Sequence, residues 1–353
     1  MSTIDRSESG TGTMRAAVLR TAGDRLMIEQ VSRPQPAYGE ILIKVTACGV
    51  CHSDVHAIDG DWDPPATLPL IPGHEVAGRV AAIGPGVDGF TVGDAVGVAW
   101  MYSSCGHCEY CLAGMETICQ AAESTGYTKP GGYAEYMIAD AAFVARLPDG
   151  VDHAAIAPIL CAGVTTYRGL KRSDARPGQW VVVVGIGGLG HIAVQYAVAM
   201  GLRVAAVDIA ADKLGLATAL GAELVVDASA GDAVAEIHER IGGAHAVVVT
   251  AVASAAFELA VGMLRPGGTA VYIGLPGGKA DEIRMSIAAL TNYERSVRGS
   301  NVGTRLDLAE AVDFAARGHV AATVRTVRLD EINTVLDELR AGRVVGRVVI
   351  TFD

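Results

Sequence analysis

The stretch WVVVVGIGGLG, Trp180 to Gly190, decides the fold. One aromatic and four valines form an unbroken apolar run, the pattern of a strand buried on both faces. Gly185, Gly187, Gly188 and Gly190, with Ile186 and Leu189 between them, then spell G-x-G-x-x-G. A helical pattern follows over Ile192 to Met200. The glycine motif alone is a weak signal. Between a strand and a helix it reads as the turn that receives a dinucleotide's pyrophosphate. Glycines allow the tight turn and close approach of the phosphates. The helix start offers free N–H groups and partial positive charge. Asp208 stands 18 residues after Gly190, at the end of the next apolar run, Val204 to Asp208. A carboxylate there accepts ribose hydroxyls and repels a 2′-phosphate, so NAD is expected rather than NADP. His191, after the last glycine, reads as a surface residue at the helix start.

Working outward, strands are expected at Leu224 to Asp227, Ala246 to Thr250 and Ala270 to Ile273, and a helix at Lys213 to Leu220. Alternation of this kind implies a doubly wound parallel sheet. Met14 to Leu160 has a different rhythm: short β-branched runs punctuated by Gly and Pro, as in a β-rich, barrel-like domain. After about residue 300 a helix (Leu306 to Arg317) and short strands (Val344 to Thr351) return. The expected organisation is a flexible tail (1–13), a discontinuous first domain (14–163 and 300–353) and a nucleotide-binding domain (164–299). A chain of 353 residues exceeds what one hydrophobic core serves. Its net charge of -11 argues against nucleic acid and anionic membranes as partners. The most apolar long stretch, Ala246 to Leu264, is broken by Thr250, Ser254 and Glu258, so no membrane span is expected. The polar start, Ser2 to Thr13, lacks the apolar core of a signal peptide, and a cytoplasmic location is expected.

The 7 cysteines are unevenly spread. Cys105, Cys108, Cys111 and Cys119 offer four thiolates within fifteen residues. Four sulfurs suit a closed tetrahedral zinc, a structural site with no place for substrate. The rival reading, an iron–sulfur cluster, has no further cysteine group to support it. His107 lies inside this knuckle and reads as solvated. Cys51, His74 and Cys161 add two thiolates and an imidazole, the pattern of a zinc with an open fourth position. They are dispersed, so spacing alone leaves that assignment open. Cys48 reads as a small buried core residue.

Several motifs together carry a resemblance. They are Cys48-Gly49-Val50-Cys51-His52-Ser53-Asp54, Gly73-His74-Glu75, the cysteine knuckle, Cys161-Ala162-Gly163-Val164-Thr165 and Val345-Gly346-Arg347. From Met14 onward the chain resembles the zinc-dependent medium-chain alcohol dehydrogenases, especially the yeast and bacterial tetrameric type. The resemblance implies a GroES-like barrel catalytic domain beside a Rossmann domain. It implies NAD, two zinc ions per chain, an alcohol or aldehyde as partner, and a homotetramer. Cys51, His74 and Cys161 become the catalytic zinc ligands, with water or substrate in the fourth place. Glu75 becomes a nearby or alternate ligand, or else the partner of a buried cation. Asp54 orients His74. Ser53 hydrogen-bonds the zinc-bound alcohol, and His56 passes its proton to solvent through the cofactor ribose. His52 and Arg347 contact pyrophosphate, Lys213 the adenosine ribose, and Thr165 the nicotinamide region. Ile273, Gly274 and Leu275 line the nicotinamide.

The chemistry stands apart from the family name. Hydride leaves an alkoxide more readily than a neutral alcohol, and zinc brings the acidity of a bound oxygen from roughly 16 to about 7. A hydroxyl and an imidazole then offer the proton a way out of a dry site. Each residue has a plainer role to set beside this: Ser53 as a helix N-cap, Asp54 as a turn residue, His52 and His56 as surface histidines, Lys213 and Arg347 on solvated faces. Trp62 and Trp100 match the positions where the yeast-like enzymes set indoles against substrate, which suits small alcohols; the plainer role is core packing. Ser53 is smaller than the Thr of the yeast enzyme, and with Leu275 it opens the way to bulkier or secondary alcohols. Ile283 to Arg298 departs most from the family pattern and borders the implied subunit interface and pocket mouth.

Two alternatives remain beside an NAD-dependent alcohol dehydrogenase. One is another zinc-containing medium-chain dehydrogenase. Cys161 argues against the polyol type, which resembles a Cys-His-Glu site, and the extra loop of the glutathione-adduct type is lacking. The other is a catalytically silent nucleotide-binding relative, which should have lost part of the zinc–Ser53–His56 set.

Overall fold

The computed structural model describes residues 12–277 and 282–352. The expected tail lies outside these residues as far as position 11. Thr13 already opens a strand, Thr13–Val18, paired antiparallel with Met27–Ser32.

The described chain divides into two compact units. One holds residues 12–161, Thr304–Ala316 and 322–352; the other holds 162–303, apart from the undescribed residues, and Arg317–Ala321. The nucleotide-binding domain was expected at 164–299. Residues 317–321 join that unit through Gln195. Its Nε2 donates to the Ala321 carbonyl and its Oε1 accepts the Ala321 N–H, each at 2.9 Å.

In the second unit Trp180–Val184 is the strand expected from its valines. Six parallel strands form the sheet, in the order Leu224–Asp227, Arg203–Asp208, Trp180–Val184, Ala244–Val249, Leu264–Tyr272, Ser296–Gly299. Counted along the chain, that is third, second, first, fourth, fifth, sixth. Such an order reverses direction beside the first strand and opens a crevice at its carboxyl end. The glycine turn occupies that end. Thr250, just past Ala244–Val249, donates its hydroxyl to the carbonyls of Val184 and Gly185. Helices alternate with the strands and carry ordinary stop signals. Ala233–Ile241, for example, is capped by Asp232, which accepts Val234 and Ala235 N–H at 3.0 Å, and ends at Gly242 with φ 70°.

The first unit is built on a seven-stranded sheet. Across it run Val324–Val327, Arg347–Thr351, Glu40–Val50, Glu75–Ile83, Ala95–Val98 and Ala145–Arg146, with Tyr136–Asp140 also paired to Glu40–Val50. All pairs are antiparallel except Val324–Val327 with Arg347–Thr351. Ile41, Ile43, Val45, Val76 and Val96 fill the core of this unit. Cys48 is fully buried among them, as its small apolar side chain suggests.

The helix Gly190–Ala199 starts hard against the turn that precedes it. A Cβ at Gly190 would lie 1.9 Å from the Gly185 carbonyl oxygen, so only glycine lets the helix approach this closely. Gly190→Ala is therefore expected to destabilise the protein by about 1–3 kcal/mol, the cost of overpacking. Urea unfolding measures it, and an unchanged midpoint would show that the helix start can move away freely.

Candidate functional site

Sheet register assembles the site. Glu40–Val50 and Glu75–Ile83 run antiparallel with Gly49 opposite Glu75. The chain leaves the first strand at Cys51 and enters the second from His74, at the same end of the sheet. Val348 lies opposite Val50, which brings Arg347 there too. Cys161 follows the short helix Ala157–Leu160, whose Leu160 covers Gly97 of the strand Ala95–Val98. One ligand atom from each of Cys51, His74, Glu75 and Cys161 lies within 4.8 Å of the other three, and all four residues are buried.

The donor set fits zinc. His74 Nδ1 sits 3.0 Å from Asp54 Oδ1, and a carboxylate only accepts, so Nδ1 carries the proton. That leaves His74 Nε2 as the ring's free nitrogen, with a lone pair in the neutral form that a metal ligand requires. It is buried without a hydrogen-bond partner among the described residues. A buried acceptor left alone is costly, whereas two thiolates and an imidazole nitrogen around one point match zinc's tetrahedral preference. The Cys51 thiol titrates well below the usual range, chiefly because of the Cys161 thiol beside it, with His74 and Arg347 assisting against burial. Cys161 moves the opposite way, raised by Cys51 and by burial. The two thiols therefore titrate as a pair, one of them deprotonating readily beside the other.

Asp54 is the hub around these ligands. It is 1% exposed, neither a turn residue nor solvated. Its Oδ2 accepts the Cys51 N–H at 2.9 Å and the Tyr133 hydroxyl at 2.7 Å. Its Oδ1 accepts the Gly73 N–H at 3.2 Å as well as His74. Cys51 is the N-cap of the helix His52–Asp59, so Ser53 lies in the first turn and is not the cap. Burial pushes Glu75 up to about 7, against the pull of the Arg347 guanidinium. Glu75 Oε1 pairs with Arg347 Nη2, both side chains being buried, while Glu75 Oε2 lacks a partner among the described residues. Glu75 thus meets a buried cation while standing among the ligand atoms. Arg347 is not on a solvated face.

His56 is buried and its Nδ1 lies 2.7 Å from Asp61 Oδ2, while His52 is exposed. Trp62 and Trp100 are half-buried and meet edge-on with centroids 5.8 Å apart. Trp62 packs on His56 at 5.2 Å, and Trp100 on His74 at 4.9 Å. Tyr127 closes the triangle, 5.6 Å from Trp62 and 5.7 Å from Trp100. The two indoles therefore pack on the hydrophobic core and border the candidate metal ligands at once.

The knuckle is the second cluster, with ligand atoms of Cys105, Cys108, Cys111 and Cys119 likewise within 4.8 Å of one another. Backbone N–H groups turn inward to the sulfurs: Cys108 N to Cys105 at 3.3 Å and Cys111 N to Cys108 at 3.5 Å. Backbone donors from His107 and Cys108 lower the Cys105 thiol to about 6. The His107 side chain itself is exposed. Glu116, inside the knuckle and 6% exposed, takes Arg305 Nε at 3.0 Å and Nη2 at 2.8 Å, which ties the loop to the helix Arg305–Ala316.

In the second unit Asp208 ends its strand as expected and is buried. Its carboxylate accepts Ile186 N–H at 2.6 Å, Ile209 N–H at 2.8 Å and Ala210 N–H at 3.1 Å. Three of its roughly four acceptor sites are thereby used by the backbone. Gly187, Gly188 and Leu189 are half-buried in the turn, and Lys213 is half-buried in the helix Ala211–Ala219. Thr165 is buried in the helix Ala162–Lys171. Ile273 and Gly274 follow the fifth strand, both donating N–H to Val249, and Leu275 beside them is 54% exposed. His191 is not on the surface: it is fully buried, with Nδ1 2.9 Å from the Gly187 carbonyl, so its ring braces the glycine turn. The divergent stretch Ile283 to Arg298 includes the short helix Ile287–Thr291 and most of the strand Ser296–Gly299.

Tyr133, Asp61 and Glu116 were not expected. Asp61 adjoins Trp62 in the chain, a signal that was available. Tyr133 lies 79 residues from Asp54 and offers no spacing to read.

These features agree with the comparisons. Residues 37–149 match the alcohol dehydrogenase GroES-like domain, and residues 188–317 match the zinc-binding dehydrogenase domain. An alcohol dehydrogenase of Moraxella sp. (strain TAE123) is 51% identical over 96% of this chain and 99% of its own length. The crystal structure of the alcohol dehydrogenase from the archaeon Aeropyrum pernix superimposes with a TM-score of 0.87 at 34% identity, covering 96% of this chain and 100% of that one. The acetophenone reductase from Geotrichum candidum, solved in complex with NAD, gives 0.86 at 30% identity, covering 98% and 99%. The chain belongs to the zinc-dependent medium-chain alcohol dehydrogenase family.

The buried Glu75–Arg347 pair yields a stability prediction. Arg347→Met leaves a carboxylate in the interior without its cation and is expected to cost about 3–5 kcal/mol. Arg347→Met combined with Glu75→Gln should recover most of that loss in urea unfolding. Equal losses in the single and double variants would show that the pairing is not what matters.

Proposed function

We propose that this protein oxidises small, chiefly unbranched primary alcohols with NAD and runs the reverse reduction of the aldehydes. The observation that carries the reading is the buried His74 Nε2, without a hydrogen-bond partner among the described residues, on a residue whose ligand atom lies within 4.8 Å of the Cys51 and Cys161 sulfurs, next to the rings of Trp62, Trp100 and Tyr127. Bound there, zinc supplies Lewis acidity toward an alcohol oxygen, and NAD is the hydride acceptor.

The residues do the rest. Cys51, His74 and Cys161 hold the metal, and Asp54 keeps His74 in the tautomer that offers Nε2. Glu75, pinned by Arg347, stands by as an alternate ligand. Ser53 takes the alcohol's proton onward. His56 receives it at Nε2, because its Nδ1–H is committed to Asp61. The paired indoles and Tyr127 favour an apolar chain and exclude water. In the second unit the turn Gly185–Gly190 and the helix start bind pyrophosphate, and the Asp208 carboxylate disfavours a 2′-phosphate. Lys213 flanks the adenosine ribose, and Thr165, Ile273, Gly274 and Leu275 the nicotinamide. The knuckle holds a second, structural zinc.

The seven cysteines are all free, which suits a reducing cytoplasm. Among the described residues no helix is long and apolar enough to cross a membrane. The resemblance implies a homotetramer, read directly by light scattering.

The test is absorbance at 340 nm with zinc-replete protein, either NAD or NADP, and a panel of primary and secondary alcohols of two to eight carbons. NADH formation is expected, with kcat/KM highest for unbranched primary alcohols and at least about tenfold higher with NAD. No reduced cofactor with any alcohol would remove the reading, and equal use of NADP would remove the role given to Asp208.

A further inference from the structure

We propose that Tyr133 is a positioning residue of the metal centre: its hydroxyl completes the hydrogen-bond set of Asp54 and so fixes how His74 presents Nε2. This rests on the reading of Cys51, His74 and Cys161 as a zinc site.

The inference follows from counting donors. An ionised carboxylate has about four acceptor sites. Asp54 meets four donors, two per oxygen: the Cys51 and Gly73 N–H groups, His74 Nδ1 and the Tyr133 hydroxyl. Three of these belong to the metal-binding segments themselves. Tyr133 alone comes from elsewhere, so it sets the carboxylate's orientation independently of the ligands. With Tyr133 in place both Asp54 oxygens are fully engaged, and the carboxylate is held in one orientation against His74 Nδ1. Without it Oδ2 keeps only the Cys51 N–H, and the carboxylate is free to rotate away from His74.

The backbone is arranged to deliver this ring. Gly132 N–H donates to the Gly73 carbonyl at 2.8 Å, and Tyr133 N–H to the Pro72 carbonyl at 3.0 Å, the two residues just before His74. On the other side the Tyr133 carbonyl accepts Ala17 N–H at 2.8 Å. The ring is fully buried and lies against Gly73, where a Cβ would meet its Cδ1 at 2.5 Å. Gly73 has φ 96°, a conformation glycine adopts without strain. A phenylalanine would fill the same space. The hydroxyl is the ring's one polar group, and it is spent on Asp54.

The experiment follows zinc release from the full-length, zinc-loaded protein to a chromogenic chelator. Cys51→Ser identifies the equivalent held at the catalytic site as the one it lacks. In Tyr133→Phe that equivalent is expected to leave about 10–100-fold faster, the usual effect of removing a partner behind a ligand. The knuckle equivalent should leave at the parent rate, and the absorption of a cobalt-substituted catalytic site should shift. General loosening of the fold would speed both equivalents alike, an outcome that counts against the proposal. Parent-like release of both, within about twofold, with an unchanged cobalt spectrum overturns it. Tyr133→Met, which also lacks the hydroxyl, serves if Tyr133→Phe does not fold, and the same outcomes apply. If Cys51→Ser loses no zinc, the site reading itself fails, and this inference falls with it.

Discussion

The pairing of two antiparallel strands, Glu40–Val50 with Glu75–Ile83, is the constraint from which the site follows. Because Gly49 faces Glu75, the residues just outside each strand, Cys51 and His74, must meet. A shift by one residue would turn every side chain of the strand to the other face. It would bury Lys44 and separate the ligands. The core residues Ile41, Ile43 and Val45 therefore fix the register and hold the site at the same time.

Burying that site concentrates charge in a place of low dielectric. Asp54, Glu75 and the Cys51 thiol crowd around His74, with the Arg347 guanidinium drawn in among them. Burial alone would lower the His74 pKa, yet Asp54 and Cys51 raise it well above the ordinary histidine range. Arg347 is held charged by Glu75 in spite of burial. A divalent cation suits such a cluster, because it would take both thiolates and the free imidazole nitrogen, groups that burial otherwise leaves costly.

Much of this was legible in the sequence. The valines of Trp180–Val184 and the glycine turn gave the parallel sheet, because a strand buried on both faces leaves an unambiguous apolar run. The knuckle was legible because its four cysteines are close along the chain. Cys51, His74 and Cys161 were legible only through family resemblance, since strand pairing brings them together and no spacing records it. What escaped was set by tertiary contact. His191 is buried beneath the glycine turn although a helix start is usually exposed. Residues 317–321 join the second unit through Gln195, a contact spanning 126 residues. Tyr133 reaches Asp54 from 79 residues away, in a segment that carries none of the motifs.

The central claim is that one zinc lies against Cys51, His74 and Cys161. Anomalous diffraction at the zinc edge from crystals of the zinc-loaded protein tests it most directly. The account predicts a peak within bonding distance of both Sγ atoms and His74 Nε2, distinct from a peak in the knuckle. A single peak, at the knuckle alone, would contradict it.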